Sequence, residues 1–154
     1  MNVTLDSVDR TILRALQSDG GMSINALAQQ LGMTPPPCWR RVKRLRDLGV
    51  LQRQVWVVDP ETVGLGVTLY ATVKLTTHDG AATTAFREQI ALLPEVLECY
   101  VLLGSIDVLL KIVVRDVSYY ETFFYNRLSQ IPGVREVTSS VIMTEVKKTF
   151  ALPI

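Results

Sequence analysis

The apolar positions of this chain change period partway along it. Through residue 45 they recur at helical spacing. Leu5, Val8, Ile12 and Leu16 share one face, and Gly20-Gly21 closes that segment. Ile24, Leu27, Ala28 and Leu31 follow at i, i+3, i+4 and i+7 behind Ser23, a good N-cap, and Gly32 stops the run. Thr34 offers a second N-cap. Cys38, Val42 and Leu45 then form an apolar stripe that ends at Gly49. Pro35, Pro36 and Pro37 lack N–H donors, which the first turn of a helix does not use. Proline also turns its predecessor away from helical angles, so this third helix is expected to begin properly at Pro37.

From Val50 the texture is that of strands. Val50 to Asp59, VLQRQVWVVD, is β-branched and aromatic between Gly49 and Pro60. It reads as one or two strands, a wing beside the third helix from which Arg53 reaches a phosphate backbone. PETVGLG, residues 60–66, is a Pro/Gly hinge. Val67, Leu69, Ala71, Val73 and Leu75 then alternate with polar or aromatic residues as in a half-buried strand. A helix capped by Asp79 turns Phe86, Ile90 and Leu93 inward. Strands are expected over Val96 to Leu103 and Ile106 to Val114, parted by Gly104-Ser105. Ser118 to Glu121 reads as a capping box opening a helix with Tyr120, Phe124, Leu128 and Ile131 inward. A last strand runs from Val134 to about Lys147.

That order is βαββαβ, the ferredoxin-like split βαβ. A weak repeat supports it, since Leu93-Pro94-Glu95-Val96-Leu97-Glu98 returns as Ile131-Pro132-Gly133-Val134-Arg135-Glu136. The expected fold class is therefore α+β. A winged helix-turn-helix occupies residues 1–60, a hinge 61–66, and a ferredoxin-like domain 67–154. Helices cover one face of such a sheet, and a second copy of the chain is the simplest cover for the other. Two-fold symmetry would then present the third helices in pairs.

Charge sharpens the first half. Arg40, Lys43, Arg44 and Asp47 lie opposite the apolar stripe of the third helix, with Arg41 at its flank. An isolated basic helix is as well explained by a solvated surface. Behind two capped helices and a Gly turn, the same run reads as the recognition helix of a DNA-binding unit. Thr34, Pro35 and Pro37 would stand at its groove-facing end, while Arg40, Arg41, Lys43 and Arg44 contact phosphates and bases. The net charge of +1 would not announce this, but residues 1–60 carry eight basic against five acidic residues and the remainder eight against ten. A basic patch beside a near-neutral body is the footprint of a nucleic-acid-binding module.

Other chemistry is sparse. Cys38 and Cys99 have no metal or redox spacing and read as small buried hydrophobes. His78 reads as a surface histidine at a strand end. No nucleophile–base–orienter set emerges, so no catalytic residue and no metal are expected. Residues 1–10 are polar, unlike a signal peptide, and the apolar runs are too short to cross a membrane. The alternative to a ligand-responsive regulator is an architectural protein that bridges DNA by oligomerisation alone.

Three groups of residues, in order, resemble the Lrp/AsnC family of feast/famine transcriptional regulators. They are Leu5-Asp6-x-x-Asp9-x-x-Ile12-Leu13-x-x-Leu16-Gln17, then Thr34-Pro35-x-Pro37-Cys38-x-x-Arg41-Val42-x-x-Leu45 with Gly49. The last is Glu98-Cys99, Gly104-x-x-Asp107-x-Leu109-Leu110, Pro132-Gly133-Val134 and Thr138-x-Ser140. Cys38-Trp39 and the closing Ala151-Leu152-Pro153-Ile154 look most like a branch linked to cysteine-responsive control of cysteine degradation. The resemblance implies a bacterial or archaeal regulator, cytoplasmic and nucleoid-associated, acting on a pseudo-palindromic operator. It implies dimers that assemble into tetramers or octamers, and a small amino-acid effector, cysteine or an aliphatic one, bound between dimers. On this chain the effector site would comprise Gly104, Ser105, Ile106 and Asp107 with Thr138, Ser139 and Ser140. Asp107 would take the ammonium, and the turn amides and hydroxyls the carboxylate. Many relatives carry an acidic residue where Ser105 stands and an aromatic where Val108 stands.

Overall fold

The computed structural model describes residues 3–76 and 80–154, and for 80–82 the backbone only. His78 and the expected Asp79 cap lie outside the described residues. The chain forms two compact units, Met1–Trp56 with Lys147–Ile154, and Val57–Val146.

The first unit is three helices around one core. α1 (Ser7–Ser18) is capped by Asp6 in a reciprocal box with Asp9. α2 (Ile24–Gln30) is capped by the Ser23 hydroxyl. α3 spans Pro35–Asp47. Ile12, Leu13, Ala15, Leu27, Ala28, Cys38, Val42 and Leu45 are buried together. Gly32 and Gly49 both take left-handed angles, φ +62° and +71°. Each closes a helix with an amide-to-carbonyl bond spanning five residues, Met33 to Ala28 and Val50 to Leu45. Neither would crowd an added Cβ, so it is the backbone angle that demands glycine.

α3 begins at Pro35, two residues before the expected start. Thr34 holds the N-cap position, yet its side chain makes no capping bond. The reason is chemical. An N-cap side chain accepts from the second or third amide of the helix, and here both belong to prolines.

The strands expected over Val50 to Asp59 do not form. No strand is assigned between Val50 and Asp59, and Val55, Trp56, Val57 and Val58 are all exposed. β-branched residues favour a strand only where a partner completes the ladder. The last eight residues join the first unit instead of extending the final strand. The Gln17 side-chain amide accepts from the Leu152 N–H at 2.6 Å and donates to its carbonyl at 3.4 Å. Arg14 donates to the Ile154 carbonyl, and the Ile154 side chain packs on the helical core.

The second unit is the expected βαββαβ. β1 (Val67–Leu75), α4 (Gly80–Ala91), β2 (Val96–Val101), β3 (Val108–Val114), α5 (Val117–Asn126) and β4 (Val134–Val141) form an antiparallel sheet in the order β2-β3-β1-β4. Its core gathers Leu69, Ala71 and Val73 with Val108, Leu110, Ile112, Phe86, Phe123 and Leu128. Three element ends differ from expectation. β2 and β3 are shorter by two residues each at their hairpin. α5 is capped by Asp116, which accepts from the Tyr119 N–H, so Ser118 lies inside the helix. β4 stops at Val141, opposite Leu69, and the Ile142 amide makes a last bond to the Thr68 carbonyl. The sequence repeat is structural. Val96 and Val134 each donate back to the residue three before, and the Glu95 and Gly133 carbonyls each accept from a strand alongside, at Val113 and Thr76.

Candidate nucleic-acid interface and effector hairpin

At about 100° per residue the stripe of Cys38, Val42 and Leu45 leaves α3 with an outer ridge and two flanks. The ridge is Pro36, Arg40, Lys43 and Asp47, all exposed. Lys43 pairs with Asp47 at 2.8 Å.

The flank toward α1 is an ion-pair cluster. Asp9 is fully buried, and its carboxylate takes Arg41 at 3.0 Å and also Arg44. Asp6 takes the same Arg41 nitrogen at 2.7 Å. The Asp9 backbone N–H and then the Arg41 guanidinium hold the Asp6 carboxyl below the usual carboxylate range. In return Asp6 and then Asp9 raise the Arg41 pKa above its ordinary value. Arg41 and Arg44, expected as direct DNA contacts, are thus tied first to α1, although 34% and 45% of their side-chain surface stays open. Residue spacing showed they were near the ridge. It did not show the carboxylates behind them. The available signal was Asp9 itself, an acid four residues after Leu5 on an otherwise apolar helix face.

The flank toward α2 carries Pro35, Trp39 and Arg46. Trp39 is 52% exposed, and with Ile24 it was absent from the expected contact set. Cys38 is buried as expected, and burial pushes its thiol pKa up. Arg53 is exposed in the strandless segment.

The proposed effector residues are only partly brought together. Asp107 closes the β2–β3 hairpin. Its carboxylate accepts the Leu75 amide at 2.8 Å, its own amide donates to the Val73 carbonyl, and its carbonyl accepts from Leu102. Gly104, Ser105 and Ile106 form the hairpin tip. Thr138 pairs with Thr72 and Ser140 with Tyr70, so both lie on the open face of the sheet. Ser139 pairs with Ala71 on the helix-covered face, where its hydroxyl meets the Tyr120 hydroxyl of α5. Three consecutive strand residues cannot share a face, and this separates Ser139 from its neighbours. Cys99, expected to be buried, is exposed. It lies on the helix side of β2, an edge strand, where Val101 is exposed too.

Comparison with known proteins assigns both units. Residues 5–52 match a winged helix-turn-helix DNA-binding family, and residues 68–152 match the Lrp/AsnC ligand-binding domain. The chain is 38% identical over 150 residues to the DNA-binding transcriptional activator DecR of Escherichia coli, covering 97% of this chain and 99% of that one. It is 36% identical to the transcriptional regulator AzlB of Bacillus subtilis, covering all of this chain and 98% of the relative. Among solved structures, a transcriptional regulator of Neisseria meningitidis in complex with L-methionine superposes with a TM-score of 0.93. It shares 33% identity, with 97% of each chain covered. These results define a helix-turn-helix transcriptional regulator with a ligand-binding second unit. The chain belongs to the Lrp/AsnC family.

Proposed function

We propose that the chain regulates genes of amino-acid metabolism by docking α3 in the major groove of a pseudo-palindromic operator, as half of a homodimer. The observation that carries this reading is the exposed ridge of α3, Arg40 and Lys43 beside Trp39, on a helix seated by two others. Cations along such a helix hold phosphates, while residues near its N-terminus meet base edges. Thr34, Pro35 and Pro37 stand at that end. Arg41 and Arg44 act from the flank, oriented by Asp6 and Asp9, and Arg53 approaches the backbone from the segment after α3.

A second copy covers the open face of the sheet, where Tyr70, Tyr100 and Leu109 stand among paired charges. The exposed run Val55 to Val58 gives it further apolar surface. Dimers assemble further into tetramers or octamers. A small amino acid, cysteine or an aliphatic one, binds between dimers at Gly104 to Asp107 with Thr138 and Ser140 on the adjoining face. The methionine complex of the Neisseria regulator supports an amino-acid ligand. In this site the Asp107 carboxylate faces the ammonium while anchoring the hairpin to β1. The protein works in the cytoplasm, where its operator is.

Two measurements on the full chain test this. Duplexes selected from a random library should yield a two-fold-related site. Thermal unfolding with each of the twenty amino acids should show a rise with one or a few, because a ligand specific for the native state stabilises it. A two-fold site with no response to any amino acid would favour ligand-independent DNA bridging. No selected sequence would contradict the operator reading.

A further inference from the structure

One flank of α3 has a surface that phosphate binding does not explain. Ile24, Pro35, Pro36 and Trp39 line an open apolar groove of about 440 Å³ with Arg40 on its rim. The helix tip beside it has almost no hydrogen bonds to give. A helix N-terminus ordinarily offers its first amides to a phosphate. Here the first three positions are Pro35, Pro36 and Pro37, which have no N–H, and the fourth, Cys38, points its amide at the Thr34 carbonyl at 3.5 Å. The end of α3 that leads into a groove therefore cannot grip phosphate through its backbone, and what it presents instead is hydrocarbon.

The surroundings identify the occupant. Arg40 lines the edge of the groove, Lys43 follows it along the ridge of the helix, and among the described residues Arg40 makes no ion pair. An apolar slot bordered by cations suits a polyanion with a local apolar feature. On the base edges of the DNA major groove that feature is the C5 methyl of thymine. Resting on the docking of α3 argued above, we propose that Trp39, Pro36 and Ile24 form a thymine-methyl reader. It gives the protein a preference for an A·T pair opposite the tip of α3 in each half-site. Trp39 is then a specificity-determining residue, and Arg40 fixes the phosphate or base beside it.

The test uses the full-length chain and a duplex it selects from a random library. Each thymine is replaced in turn by deoxyuridine, which removes only the methyl group. Wild-type affinity should fall about fourfold at one or two positions per half-site, the worth of one buried methyl. At those positions a G·5-methylcytosine pair should bind better than G·C, since it restores the methyl without restoring the A·T hydrogen-bond pattern. Trp39→Ala should bind thymine and uridine duplexes alike. Trp39→Phe should retain part of the difference, which shows that the loss follows the ring and not a damaged fold. Uridine without cost at every position would overturn the proposal. So would a thymine–uridine difference undiminished in Trp39→Ala. Absence of salt-dependent binding to random duplex by the wild type would instead overturn the docking of α3 itself.

Discussion

Two surfaces are left over once the cores of this chain are packed, and they are unlike. The outer ridge of α3 shows Arg40 and Lys43 against a single acid, Asp47. The open face of the sheet matches its own charges: Lys111 with Glu98 at 3.3 Å, Lys74 with Glu136 at 3.1 Å, and the Tyr100 hydroxyl donating to Glu98 at 3.0 Å. Between those pairs stand Tyr70 and Leu109 in register across β1 and β3 with Lys111 and Thr72. Excess charge of one sign suits a polyanion. A surface whose charges are already satisfied, with aromatic area between them, suits a cover that brings no new charge. A second copy related by a two-fold axis meets that condition, because each patch then faces itself. The difference separates the proposed DNA-facing surface from the proposed self-associating one without reference to any ligand.

The contrast can be broken from either side. The largest effect is expected at Asp9, which ties α3 to α1 through Arg41 and Arg44. Asp9→Ala leaves Arg41 and Arg44 without their buried anchor and should destabilise the helical unit by about 2–3 kcal/mol. That is less than for a fully buried pair, because both arginines keep contact with water. Denaturant unfolding followed in that unit measures it, and a change within error would mean the cluster is incidental. On the sheet, Tyr70→Glu places an unpaired charge in the proposed interface. It should raise the dimer dissociation constant by about 30-fold or more, since such a charge costs at least ~2 kcal/mol. Sedimentation equilibrium reads this directly, and an unchanged mass would give the open face another cover.

The smallest effect is in acid. Asp6 is held below the usual carboxylate range, by the Asp9 amide first and Arg41 second. The unfolded chain therefore takes up that proton more readily than the folded one. The contribution of Asp6 is complete above about pH 4 and is lost as the pH falls below it. The melting temperature of the wild type should drop as the pH falls below about 4, and that of Asp6→Asn should drop less. Parallel curves would remove Asp6 from the acid response.

Much of this architecture was legible in the residues. The helical periods, the two glycine stops and the alternation along β1 each report a local rule, and each produced its element. The βαββαβ element order followed from where strand and helix periods alternate, with the repeat around Leu93 and Ile131 in support. What stayed hidden depends on partners far along the chain. Asp9 reads as a helix residue until α3 supplies its arginines. Ser139 and Thr138 look alike in sequence, yet strand register sends them to opposite faces. The segment Val50 to Asp59 has strand composition yet forms no strand. The three prolines read as a permitted start for α3, whereas their chemical consequence, a tip almost without backbone donors, needs Trp39 and Ile24 placed next to them.

The ridge of α3 is proposed to hold DNA phosphates, and the salt dependence of binding tests this most directly. Affinity for a random-sequence duplex should be measured across a range of salt concentrations for the wild type and for the Arg40→Ala, Lys43→Ala double variant. Each lost phosphate contact lowers the slope of log affinity against log salt by about one unit, so the double variant should lose about two. Equal slopes in the two proteins would contradict the account, because the cations of the ridge would then not be on the DNA.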